Sequence, residues 1–128
     1  MLFFILFVGL HNKSICVGDI RASNIIFGES KSCLIDFDFA GKCGEKVYPE
    51  GYSVNIEDGA RHEDAVEGET LQNLHDCFAF AAVMRLHACV DDKWNQAIDK
   101  LEEGNADQCV ELLEEIHDLA LDQKVFHD

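Results

Sequence analysis

The sequence predicts an α+β domain that is mainly helical and carries one small β-hairpin. With 128 residues, 48% of them hydrophobic, the chain has the length of about one domain and enough apolar material for a single core. Apolar residues recur at helical spacing through residues 70–128. Short apolar runs broken by turn-prone residues fill 15–40 instead.

The first ten residues are apolar on every side and read as the end of a buried helix, which His11-Asn12-Lys13-Ser14 terminates. That run is too short to span a bilayer, and it lacks a basic start and a small-residue cleavage site, so a secretory signal is the weaker reading. Strands are expected around 25–27 and 33–36, with Gly28-Glu29-Ser30-Lys31-Ser32 as the turn between them. Residues 41–69 hold five glycines, the sole proline and both tyrosines, without useful periodicity, and read as a long loop that shapes a substrate site. Helical character resumes at Thr70, taken as an N-cap, with Leu71, Leu74, Phe78, Ala81 and Ala82 as its apolar stripe. A second helix over 93–103 puts Trp94, Ala97, Ile98 and Leu101 on one face, and Gly104 stops it. A third is expected over 106–121, with Val110, Leu113, Ile116 and Ala120 inward. The organisation is therefore one partial domain: 1–14, 15–40 with the candidate chemistry, 41–69 as loop, and 70–128 as helices.

The formal charge of -15 is uneven, because residues 53–128 hold 19 acids against 5 bases while residues 1–52 hold 6 against 5. Such a surface repels phosphate backbones and anionic headgroups, so no nucleic-acid or membrane partner is expected, and a basic protein partner fits better. The six cysteines form no C-x-x-C pair and mostly adjoin apolar residues. They read as reduced, buried thiols of an intracellular protein, cytoplasmic or nuclear. Six histidines include His75, His87 and His117, spread along the predicted helices without paired ligand spacing, which argues against zinc.

The chemistry concentrates in Asp19-Ile20-Arg21-Ala22-Ser23-Asn24 and, twelve residues on, Asp36-Phe37-Asp38. Phosphoryl transfer needs a carboxylate near the accepting hydroxyl and oxygen ligands for magnesium, and these residue types supply both. The spacing resembles the catalytic loop of protein kinases, H-R-D-L-x-x-x-N, followed by their D-F-G segment. Asp76, at the acidic start of Asp76-Cys77-Phe78-Ala79-Phe80-Ala81-Ala82-Val83-Met84, resembles the acid that opens the core helix of the kinase C-terminal lobe. The resemblance implies a kinase-like C-terminal lobe with the N-terminal lobe absent. In it Asp19 is the catalytic base, Arg21 approaches the transferred phosphate, Asn24 and Asp36 hold ATP-bound Mg2+, and Asp76 anchors the catalytic-loop backbone.

The wider pattern, with Asp38 in place of the motif glycine and Tyr48-Pro49-Glu50-Gly51-Tyr52 after it, resembles the kinase-like domains of Crinkler-type effectors, for which a secreted effector is the alternative location. By that resemblance Arg61-His62-Glu63-Asp64-Ala65 belongs to the substrate face. Val17 and Gly18 stand where the motif has histidine and arginine, so control through a phosphorylated loop paired with that arginine is not expected. Residues 1–18 bring no Gly-rich loop, nucleotide-pairing lysine or partner glutamate. Phosphoryl transfer to a protein substrate is thus expected when an N-terminal lobe completes the chain, and the isolated chain is expected to be a poor enzyme. The alternative is a truncated pseudokinase that binds basic proteins.

Overall fold

The computed structural model describes residues 9–26, 33–86, 92–105, 107–109, 111 and 112. Among them the architecture is α+β, with helices and two two-stranded antiparallel sheets. No helix of the described residues is long and apolar enough to cross a membrane.

Residues 9–12 are helical, and Lys13 and Ser14 turn out of the helix, Ser14 with a φ of 62°. Strand β1 (Ile15–Cys16) pairs antiparallel with β4 (Gly41–Lys42), whereas β2 (Ile25–Ile26) pairs with β3 (Cys33–Leu34) in the register Ile25↔Leu34 and Ile26↔Cys33. The second ladder is the hairpin expected from the sequence. The first was not expected: it brings the start of the 41–69 loop back against residue 15, and Cys16 and Cys43 form a disulfide across 27 residues of sequence. This corrects the reading of those two cysteines as thiols, and with it cysteine usage ceases to argue for a reducing compartment. Among the described residues the free cysteines are exposed Cys33 and buried Cys77 and Cys109, and burial pushes the latter two thiols up to about 12.

Helix α1 (Asn73–Leu86) starts three residues later than the sequence suggests. Thr70 is drawn into a bridge with Val47 instead, and the Gln72 carbonyl accepts the first helical N–H groups, from His75 and Asp76. Leu71 consequently lies outside the helix, fully buried with Cys16, Tyr48 and Ala65, and Leu74 is exposed. The buried face is wider than a stripe: Cys77, Ala79, Phe80, Ala81, Val83 and Met84 all lie inside. Small and apolar residues around most of the circumference let this helix run through the core.

Helix α2 (Asp92–Glu102) packs Ala97, Ile98 and Leu101 on α1, with Trp94 partly buried beside them. Arg85 of α1 reaches Asp99 at 3.5 Å and also pairs with Glu102. The helix ends in a Schellman motif: Gly104 has a φ of +88°, its N–H bonds the Leu101 carbonyl at 2.9 Å, and the Asn105 N–H bonds that of Lys100 at 2.8 Å. Asn105 then caps the next helical residues, accepting the Gln108 N–H on Oδ1. Residues 107–109, 111 and 112 continue helically with Cys109 buried, whereas Val110 and 113–121 of the expected third helix lie outside the described residues.

Candidate active site

The loop from Val17 to Asn24 is held from beneath by α1. Asp76, 2% exposed, accepts the Val17 N–H at 2.7 Å and the Gly18 N–H at 3.0 Å, and His11 Nε2 lies 3.0 Å from the same carboxylate. A buried carboxylate is tolerable only when its oxygens are so occupied. Gly18 has a φ of +81°, and a Cβ there would stand 2.9 Å from the Phe39 carbonyl and 3.2 Å from Leu71 Cδ2. Both the backbone conformation and the space demand glycine. Gly18→Ala is expected to cost about 2 kcal/mol in urea-denaturation measurements.

Asp19 itself is buried at 7% exposure. Asn24 Nδ2 donates both to its carbonyl, at 3.0 Å, and to Oδ2, at 2.9 Å, while Arg61 Nη2 donates to Oδ1 at 2.8 Å. Arg61 is fixed in turn, because its Nε donates to the Ser53 carbonyl at 2.7 Å, its Nη1 donates to Tyr52 Oη, and its guanidinium carbon lies 4.0 Å from the Tyr52 ring centre. Tyr52 Oη donates to the Gly18 carbonyl. Burial pushes the Tyr48 and Tyr52 hydroxyls well above their ordinary range, so both stay protonated donors. Asp19, Arg21, Tyr52 and Arg61 line a cavity of about 400 Å³ together with Phe39 and residues 49–51 and 53.

Arg21 turns elsewhere. Its Nε donates to Asp58 Oδ1 at 2.8 Å and its Nη2 lies 2.6 Å from the same oxygen, while Asp58 Oδ2 accepts the Ser23 N–H at 2.8 Å. The guanidinium and the Ser23 amide hold the Asp58 carboxyl well below the usual carboxylate range. A depressed carboxylate adds stability that is fully present above its unfolded value, about pH 4, and is lost as pH falls toward the native value. With both side chains partly exposed, the contribution is on the order of 1 kcal/mol. Asp58→Asn is accordingly expected to lower the melting temperature at pH 7 and flatten its fall between about pH 4 and pH 2.

Asn24 and Asp36 are brought to one end of the β2–β3 hairpin, since the Asn24 carbonyl accepts the Ile35 N–H at 2.8 Å. Asp36 is exposed at a φ of 64°, a conformation in which few residues other than glycine, asparagine and aspartate rest, and its Oδ1 accepts the Asp38 N–H at 3.2 Å. Both residues carry oxygen donors of the kind magnesium takes. All five sequence candidates are thus located: Asn24 bonds Asp19, Asp76 holds the Val17 and Gly18 amides before it, Asp36 follows strand β3, and Arg21 is committed to Asp58. Sequence reading missed the roles of Arg61, Tyr52 and Asp58, which meet the loop from 30 or more residues away.

The 61–65 turn brings a further cluster together. One nitrogen each of His62 and His75 and a carboxylate oxygen of Asp64 lie within 4.8 Å of one another. The two imidazoles stack at 4.9 Å, Tyr48 Oη lies 2.9 Å from His75 Nδ1, and Phe78 packs its ring edgewise to His62. Burial and the neighbouring His62 hold the His75 pKa below its ordinary value, so this ring is neutral at pH 7. The sequence reading of possible ligands did not consider His62, which the 61–65 turn sets beside His75; the placement of His87 and His117 lies outside the described residues.

No protein-family model, curated protein or solved structure matches the chain.

Proposed function

We propose that the chain is a protein kinase-like C-terminal lobe that forms the acceptor half of a phosphotransferase. Asp19 meets the hydroxyl of a protein substrate in the cavity beside Tyr52 and Arg61, and Asn24 and Asp36 hold the magnesium of ATP. The observation that carries the reading is the locked Asp19 carboxylate, with Asn24 on one oxygen, Arg61 on the other and Asp76 fixing the backbone before it. An acid buried at this depth and oriented through both oxygens at a cavity wall is arranged for a positioned proton transfer rather than for surface solvation. The accepting hydroxyl hydrogen-bonds to Asp19, and its proton passes to that carboxylate as the oxygen–phosphorus bond forms. ATP would supply the phosphoryl group, its bond to the β,γ-bridging oxygen breaking as ADP leaves, and Mg2+ held by Asn24 and Asp36 would neutralise charge on the phosphate oxygens. Arg61 stabilises the loop rather than the phosphate, and Arg21 serves through Asp58 to hold Ser23 and the approach to Asn24.

Magnesium and ATP together are expected to raise the melting temperature of the protein purified from its source cells, at the full length in which those cells make it. At a hundredfold excess over Kd the gain is about 2.7 kcal/mol. Asp36→Asn should remove the magnesium-dependent part of that shift. An unchanged melting temperature at millimolar ATP and Mg2+ would reject nucleotide binding and favour a module that binds basic proteins through its acidic surface.

A further inference from the structure

We propose that His62, Asp64 and His75 form a zinc site that braces the Asp19 loop. Two imidazole nitrogens and one carboxylate are a ligand set suited to Zn2+, whereas Mg2+ prefers oxygen alone. Their ligand atoms already lie within 4.8 Å of one another, and a tetrahedral ion at about 2.0–2.1 Å needs them about 3.4 Å apart. Asp64 has room to approach the two rings, because its side chain is 74% exposed and one of its carboxylate oxygens already lies 3.9 Å from His62 Nδ1, while the His62 side chain is only 16% exposed and held against Phe78. Tyr48 engages His75 Nδ1, which leaves Nε2 to coordinate and fixes the ring as outer-shell partners do in metal centres. At His62 the Asp64 N–H donates to Nδ1 at 3.0 Å, so coordination there uses Nε2 or exchanges this bond for the metal.

The surroundings favour a cation. A cavity of about 360 Å³ is lined by Glu63, Asp64, Glu69 and His75, which concentrates negative charge and leaves room for water as the remaining ligand. The position gives the ion a consequence. His62 follows Arg61, which holds Asp19, and His75 precedes Asp76, which holds Val17 and Gly18. Zinc would tie together the two attachments of the loop that carries Asp19. This inference concerns the brace and does not require phosphotransfer.

Isothermal titration of the EDTA-stripped, buffer-exchanged protein with zinc chloride tests it, with visible absorption of the cobalt(II) form as a second readout. One zinc per chain is expected, with a Kd raised about 10–100-fold in His62→Gln and in Asp64→Asn. These two side chains carry the test because His75→Gln also loses the Tyr48 contact and disturbs the core. Asp19→Asn should bind zinc as the wild type does, so that failure of the catalytic reading and failure of the zinc site are read separately. Absence of stoichiometric zinc, or equal affinity in His62→Gln and Asp64→Asn, would overturn the proposal, the latter by assigning the metal to other groups such as the free thiols.

Discussion

Asp76→Ala is expected to remove about 3–5 kcal/mol of stability. The carboxylate occupies the Val17 and Gly18 amides and meets His11, and all of these sit where water cannot replace it. Each donor left unsatisfied costs about 1–3 kcal/mol, although the sum is less than additive. A domain of this size has about 5–15 kcal/mol in hand, so much of the variant should be unfolded well below the wild-type melting temperature. Asp76→Asn keeps the volume but turns an acceptor into a donor facing these amides, and should lose most of the same amount. Urea denaturation followed by far-ultraviolet circular dichroism measures both. A change below about 1 kcal/mol in Asp76→Ala, the size expected of an exposed pair such as Arg21–Asp58, would mean that the loop does not depend on α1.

Reduction of the Cys16–Cys43 disulfide is the second large effect. The bond spans 27 residues, and the chain-entropy relation for a loop of that length gives about 3.5 kcal/mol. The closed segment contains Asp19, Asn24 and Asp36, so opening it should loosen the candidate site as well as lower stability. Asn73 Oδ1 lies 3.3 Å from Cys16 Sγ and 2.8 Å from Cys43 Sγ, so the disulfide abuts the first residue of α1. The unfolding midpoint of the wild type should fall when a phosphine reductant is added, and that of Cys43→Ser should not respond. Alkylation of the native protein should label exposed Cys33 before Cys77 and Cys109, whose thiolates are suppressed by burial. A midpoint indifferent to reductant would show that β1 and β4 hold together through their ladder alone.

Local signals were the legible ones. The turn-rich Gly28–Ser32 stretch between apolar runs marked the hairpin, and the apolar spacing ending at Gly104 marked α2 within one residue at each end. The backbone demands of these elements are met by neighbours in sequence. The start of α1 was misjudged because the neighbours of Thr70, Glu69 and Leu71, bond Tyr48 and Lys46 and so bridge Thr70 to Val47, a partner on the far side of the loop. The same limit hid the β1–β4 ladder and the disulfide, since residues 41–69 have no periodicity from which a fold-back could be read. Asp19, Asn24 and Asp76 stood out because their spacing resembles kinase motifs. Arg61, Asp58, His62 and Asp64 did not, because isolated charged residues in a loop look alike until tertiary structure selects their partners. For Arg61, His62 and Asp64 the signal was the dense Arg61–Ala65 run, in which Arg61 reaches Asp19 and His62 stacks on His75 while Glu63 and Asp64 stay exposed.

The central claim is that Asp19 is a catalytic carboxylate, and the direct measurement is transfer of radiolabelled γ-phosphate from ATP in the presence of Mg2+ to a basic protein substrate. The protein is taken at the full length in which its source cells make it, as wild type and as Asp19→Asn. The account predicts measurable transfer by the wild type and a fall of about 10²–10⁴-fold in the variant, assayed at a temperature where circular dichroism shows the variant folded. Transfer by Asp19→Asn at the wild-type rate, or none by either protein, would contradict it.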